Sequence, residues 1–447
     1  MAWNRTTTVA LVVVVIVALV PAAAVAATPT CFGKRATIVS NNRDPRKYTD
    51  LRGTRGDDVI VGRAGNETIA ALGGDDLICA GEGDDYIKAG PGDDLVRGGG
   101  SIDDIWGGAG HDGLWGGEGP AEGLHGDRGN DRLFGGGGTE DYLFGGPGND
   151  RLDGGTGADL AMYTESPRGI NADLLAGTAT GHGSDDFAAI ETVYGSIFDD
   201  VLYGDDDANT LAGGPGSDEL HGRGGNDRLR SGNGGDDLLD GGGGVDTANY
   251  FLGWFPVAAD LTMGEAVTAE GVDTLVGITN LVGSKENDTL IGDAADNVIH
   301  GSRGSDVTDG GAGTDLVIFP DSFELTVDLV EGTAIEERGT DTLANFENVA
   351  GSSFGDTITG DGGPNVIWGG GGADNLIGAA GDDVLIGERG PDGADGGDGS
   401  DACDAETEIA CESDPSLRPP SRALYPFPLW DLDQRPARSL TALWLRY

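Results

Sequence analysis

An all-β solenoid, a right-handed parallel β-roll of nonapeptide repeats interrupted by three β-rich interludes, is the fold this 447-residue sequence predicts. Three observations carry that prediction. Between Gly74 and Gly99 one nine-residue phrase occurs three times: a glycine-rich turn, an aspartate (Asp76, Asp85, Asp94) and, two residues later, a large apolar residue (Ile78, Ile87, Val96). Nine residues are too few for a helical hairpin and out of step with a heptad, but three around the apolar one make a short strand with its middle side chain on one face. Glycine, 83 residues of the chain, permits the positive backbone angles of tight turns.

Two phrases make one coil, so each residue is predicted to lie over the one two phrases on, with coils about 4.8 Å apart. Asp58 then sits near Asp76, Asp76 near Asp94, and Asp85 near Asp103. The chain carries 77 acidic and 27 basic residues, a formal charge of -50, which argues against nucleic acid or anionic membrane as partner and in favour of multivalent cations. Glycine-rich acidic chains are often disordered. Here apolar residues recur in phase, so disorder is the expectation only for the metal-free chain.

The phrases GGDDLICA, GEGDDYIKA and GPGDDLVRG resemble the RTX (hemolysin-type) calcium-binding repeat of secreted bacterial proteins, GGxGxDxUx. The resemblance implies calcium ions in the turns and folding on export. Residue chemistry points the same way. Ordering nine residues costs on the order of 9 to 18 kcal/mol of backbone entropy, whereas burying one Leu or Ile returns roughly 1.5 to 3 kcal/mol. Calcium suits a turn of carboxylates and carbonyls because it takes six to eight oxygen ligands in flexible geometry.

Residues 1–27 read as a secretory signal: Arg5 in the n-region, Val9 to Val20 apolar, and small residues at Ala24-Val25-Ala26, with Pro21 favouring cleavage over a membrane anchor. Residues 28–56, partly basic (Arg35, Arg43, Arg46, Lys47), are expected to cap the first open coil. The first array, 57–163, has an apolar ladder from Ile60 through Ile69, Ile78, Ile87, Val96, Ile105, Leu114, Leu124, Leu133 and Leu143 to Leu152. Its candidate calcium ligands are Asp58, Asp76, Asp85, Asp94, Asp103, Asp112, Asp131, Asp141, Asp150 and Asp159. Glu67 replaces aspartate in one phrase and none stands around Pro120 to Glu122, so calcium is doubtful at both.

A different text then returns three times, in interludes 164–199, 251–287 and 320–355, each after an aromatic residue (Tyr163, Tyr250, Phe319). Alternation such as Leu325-Val327-Leu329 argues strand. The interludes are read as wider, metal-poor coils of the same stack, separate small domains being the alternative. Array two, 200–250, offers Asp218, Asp227, Asp237 and Asp246; array three, 288–319, offers Asp288, Asp306 and Asp315. Array four, 356–412, offers Asp356, Asp374, Asp383, Asp392 and Asp401. Thr308, Ala394 and Cys403 thin the ladder, and Asn209, Asn297 and Asn365 stand where aspartate belongs, which predicts weaker sites.

Four cysteines allow three pairings. Cys31 with Cys79 and Cys403 with Cys411, one staple at each end, is the preferred one in an oxidising exported setting. The tail, 413–447, is rich in proline and aromatics. It covers the final edge, docks on a partner or trails.

Catalytic motifs are absent or explained away. No HExxH occurs, the formal GxSxG at 351–355 is the repeat's own turn, and pairs such as Asp84-Asp85 recur everywhere on opposite strand faces. The chain is therefore read as no enzyme but a calcium-dependent, secreted structural or adhesive module. Its partners are calcium ions and an extracellular or cell-surface ligand, with no nucleic acid and no stable membrane span after signal cleavage. The alternative is a secreted carbohydrate-acting enzyme with its active site in the interludes.

Overall fold

The computed structural model describes residues 29–40, 48–320, 322–405 and 407–411. The expected signal and the Pro/aromatic tail lie outside the described residues. Every described element is a strand, and successive phrases alternate between two parallel sheets. Sheet one takes Ile69, Ile87, Ile105, Leu124 and Leu143; sheet two takes Ile60, Ile78, Val96, Leu114, Leu133 and Leu152. All of these point inward and are fully or almost fully buried, forming one core that runs the length of the stack. Where one residue is inserted, Ile105 still pairs with Leu124 as it does with Ile87 on the other side, because the extra residue is taken up in the turn.

The first coil is made by the segment before the array. Ile38–Val39 pairs with Val59–Val61 in sheet two, and Tyr48–Arg52 with Asn66–Ala70 in sheet one. A hairpin of Thr30–Cys31 and Lys34–Arg35 lies against the outer side of sheet two, with the Phe32 ring 5.8 Å from Trp115 and the Arg97 guanidinium 4.5 Å from Phe32. Disulfides join Cys31 to Cys79 and Cys403 to Cys411, one at each end of the stack.

The interludes enter the stack as something other than wider coils. Asn171–Asp173, Thr178–Thr180 and Ser184–Ala188 form an antiparallel meander within sheet two; its last strand pairs with Arg151–Thr156 below, its first with Val201–Tyr203 above. Sheet one meanwhile passes directly from Leu160–Met162 to Thr192–Tyr194. Ala258–Asp260, Glu265–Val267 and Val272–Val276 repeat the arrangement, as do Thr326–Asp328, Thr333–Glu336 and Gly339–Ala344. Three strands facing one leave room inside, and a buried ring fills it each time: Tyr163, Tyr250 and Phe319. That is why the phrase before each interlude ends in an aromatic residue.

Candidate calcium-binding turns

The turns join the sheets, and each stacked turn donates an amide to the carboxylate of the next. Asp58 N–H donates to Asp76 Oδ1 (2.7 Å), Asp76 to Asp94 (2.7 Å), Asp94 to Asp112 (2.8 Å), and so on through Asp131 and Asp150. On the other edge Glu67 donates to Asp85 (2.6 Å), Asp85 to Asp103 (2.9 Å), Asp103 to Glu122 (2.6 Å), Glu122 to Asp141 (2.9 Å) and Asp141 to Asp159 (2.8 Å). One oxygen of each carboxylate is thus committed to the backbone. The second is buried and accepts no hydrogen bond among the described residues at Asp76, Asp85, Asp94, Asp103, Asp112, Asp131, Asp141, Asp150 and Asp159. The later arrays repeat this at Asp218, Asp227, Asp246, Asp306, Asp315, Asp374 and Asp383. An ionised oxygen out of water with no donor is costly enough to require a cation or a proton.

What surrounds that oxygen is oxygen. A Cβ built on Gly126 would stand 2.6 Å from Asp131 Oδ2 and 2.6 Å from the carbonyl of Gly145, one coil on. Gly145 itself faces Asp150 Oδ2 at 2.7 Å. Gly126 therefore keeps open a cradle in which a carboxylate and a carbonyl from adjacent coils converge, whereas buried Ala71, Ala80 and Ala89 stand in that place five before Asp76, Asp85 and Asp94. Elsewhere the backbone itself demands glycine: Gly74 has φ +108°, and a Cβ there would meet the Asp57 nitrogen at 2.6 Å. Among the described residues no three His, Cys, Asp or Glu side chains cluster as a metal site. Each turn offers one carboxylate and backbone carbonyls, a hard, all-oxygen donor set that fits calcium and not zinc.

The aspartate opening each array departs from this scheme. Asp58 accepts from Thr54 N–H (2.7 Å) and Thr54 hydroxyl (2.9 Å), with Thr37 hydroxyl on its other oxygen (3.1 Å). Ser284 N–H and hydroxyl serve Asp288 at 2.6 and 2.8 Å, and Ser352 N–H and hydroxyl serve Asp356 at 2.6 and 3.0 Å. Asp200, passed over in the sequence, is held by Ser196 in the same way. The asparagines of the following phrase are also satisfied by their own turns: Asp205, Asp293 and Asp361 N–H donate to Asn209, Asn297 and Asn365 at 2.7, 2.7 and 2.8 Å. Asp237, Asp392 and Asp401 keep the shared bond from the preceding coil, at 2.8, 3.0 and 2.9 Å.

Several carboxylates join the columns without an aspartate phrase to announce them. Glu122 stands in register where no aspartate was found, its Oε1 buried and unbonded among the described residues, so the gap around Pro120 is filled by a longer side chain. Asp185 and Asp273 continue a column through the first two interludes by accepting from Asp150 (2.9 Å) and Asp237 (3.2 Å). Their second oxygens meet the buried hydroxyls of Tyr163 (2.8 Å) and Tyr250 (3.0 Å). A phenol there does for the carboxylate what a cation does elsewhere. Tyr163→Phe removes that donor and leaves the oxygen buried alone, so urea unfolding of the calcium-loaded chain should show a loss of about 1 to 3 kcal/mol. Paired acids gain a reason as well. Asp75 and Asp93, preceding Asp76 and Asp94, point the other way along the stack: Asp93 N–H donates to Asp75 (3.0 Å) and His111 N–H to Asp93 (2.8 Å).

Burial, followed by the like charges above and below, pushes these carboxyls far above their usual range. Burial and Glu122 put Asp103 at about 9; Asp131 is raised to about 8, Asp85 and Asp94 to about 7, and Asp112 to about 6. Amides from the preceding coil oppose the shift without cancelling it.

A family model described as RTX calcium-binding nonapeptide repeat (4 copies) matches residues 52–87, 88–120, 125–161, 194–229, 231–248, 282–317, 350–385 and 377–407, together more than half of the chain. The matches skip the cores of all three interludes. No curated protein matches the chain. By its stacked turns, its buried oxygen columns and this match, the chain belongs to the RTX calcium-binding repeat family and binds calcium in a β-roll.

Proposed function

We propose that calcium is held between stacked turns by Asp76, Asp85, Asp94, Asp103, Asp112, Asp131, Asp141, Asp150 and Asp159, with Asp218, Asp227, Asp237, Asp246, Asp306, Asp315, Asp374, Asp383, Asp392 and Asp401 in the later arrays. Glu122 completes the first array, and backbone carbonyls from adjacent coils complete each site. Asp58, Asp288 and Asp356 act as hydrogen-bonded ends and not as ligands. The single observation that carries this reading is the buried second oxygen that no hydrogen-bond donor serves among the described residues. Loaded in this way, the exported chain serves as a rigid extracellular structural or adhesive element. The interludes, where an enzyme site was the alternative, contribute strands to the same stack. Metal analysis after equilibrium dialysis tests the assignment: Asp94→Asn should lose bound calcium and Asp288→Asn should not. Equal loss in both would reject the division.

The raised carboxyls also fix a pH dependence. In the unfolded chain they titrate near 4, while in the metal-free roll burial raises Asp85, Asp94, Asp103, Asp112 and Asp131 to about 6 to 9. Between those limits the folded state binds more protons, so metal-free stability is greatest below pH 4 and declines as pH rises through the folded values. Calcium must displace those protons. Its binding should therefore release acid and tighten from pH 6 to pH 8, which calorimetry in two buffers of different ionisation enthalpy would measure.

A further inference from the structure

The outer sides of the two sheets differ. On sheet two the apolar flanks Trp115 and Phe134 are met by the N-terminal hairpin through Phe32, and further along the flanks include polar or exposed residues such as Val307 (48 % exposed), Asp309, Glu219 and His221. On sheet one they form two apolar clusters separate from the main core: Leu160 and Met162 with Tyr142, and Ile318 with Ala350 and Trp368. In Leu316–Ile318 the ladder residue Val317 points inward, so Ile318 points out, yet it is 1 % exposed; Val282, beside Leu281, is 2 % exposed. Every described strand belongs to one of the two stacked sheets or to the Thr30–Cys31 and Lys34–Arg35 hairpin, which lies against sheet two, so no third layer of strands faces this side of sheet one among the described residues.

We propose that residues 412–447 lie along the outer side of sheet one and cover these clusters. The last coil leaves the chain in the right place, with Ala402–Asp404 in sheet one and Cys411 tied to Cys403 of that strand. Back to Leu160 the sheet extends roughly 50 Å at about 4.8 Å per strand, within reach of 36 residues, which span up to about 120 Å extended. The chemistry is complementary too. The segment carries Leu424, Tyr425, Phe427, Leu429, Trp430, Leu440, Leu443 and Trp444 for the apolar face, and five arginines against three aspartates beyond Glu412 for a chain of charge -50. Ser40 and Tyr48, which flank residues 41–47, stand at the opposite end of the stack, and 1–27 have the composition of a cleaved signal.

Trypsin digestion of the full chain in excess calcium tests this, with cleavage at Arg422 and Arg438 followed by mass spectrometry. The wild-type bonds should resist. They should be cut at least tenfold faster both in Ile318→Glu and in the tail variant Leu429→Asp/Trp430→Asp, the second of which leaves the roll untouched; far-UV circular dichroism confirms that the strands persist. Equally rapid cleavage in all three chains overturns the proposal. So does a sedimenting dimer whose wild-type protection disappears on dilution, which would give the face to a second copy. Calcium is saturating throughout and the roll's spectrum is a separate readout, so a failure of the calcium assignment is distinguishable from a failure of the docking.

Discussion

Chelating calcium from the folded protein should abolish most of its strand signal in far-UV circular dichroism, with the elongated stack giving way to an expanded chain. The reason lies in the oxygens left behind. Sixteen aspartates present a buried second oxygen with no hydrogen-bond donor among the described residues, and each neighbour in a column carries the same charge. Uncompensated buried charge costs several kcal/mol per group even after relaxation, whereas a whole domain is stable by only about 5 to 15 kcal/mol. A handful of emptied turns exceeds that margin, and the nine-residue phrase buries too little apolar surface to make it up. Magnesium should not rescue the signal, since it demands a tight octahedron and gives up its waters reluctantly. Retention of full strand content in chelator at pH 8 would mean that the columns stand without metal.

Gly126→Ala should weaken its turn measurably, although it alters no charge. Gly126 is not in the left-handed region, so alanine is conformationally acceptable there, and the effect isolates the loss of space. The added methyl meets Asp131 Oδ2 and the Gly145 carbonyl, each at 2.6 Å, in the volume where those oxygens converge. Either the carboxylate turns away, breaking its bond to the Asp112 amide, or the coils part. A destabilisation of about 1 to 3 kcal/mol, as for overpacking of a close-packed site, is the expected result in a calcium-dependent urea titration, since Ala89 already holds the equivalent place two coils away. Gly73→Ala, where the nearest atom is the Pro91 carbonyl at 3.3 Å, supplies the comparison. Equal effects from the two would show that the cradle has no special role.

Much of this was readable in advance because the period is a physical quantity. A nine-residue phrase with one apolar position fixes which residues stack, and the pairs Ile87–Ile105 and Val96–Leu114 follow from counting. Glu122 escaped because an insertion shifted it and because glutamate reaches the same point with a longer stem. The hydroxyls of Tyr163 and Tyr250 escaped for another reason: with Phe319 in the third copy, the common feature was the ring that fills the core, and the donor on it was invisible to the pattern. The meanders were hidden because antiparallel pairing leaves no mark on a parallel repeat. One signal was present and unread. Thr54, Ser196, Ser284 and Ser352 each stand four residues before the first aspartate of an array, the spacing at which a hydroxyl can close a turn on a carboxylate.

Those hydroxyls at the start of each array, and the phenols of the first two interludes, act as bulkheads. The carboxylate column that begins at Thr54 and stops at Tyr163 shares no hydrogen-bonded carboxylate with the one that begins at Ser196 and stops at Tyr250. On the proposed assignment, a leak in one compartment, whether from proteolysis, oxidation or a stray chelator, should be contained there, and the neighbouring hold should stay loaded.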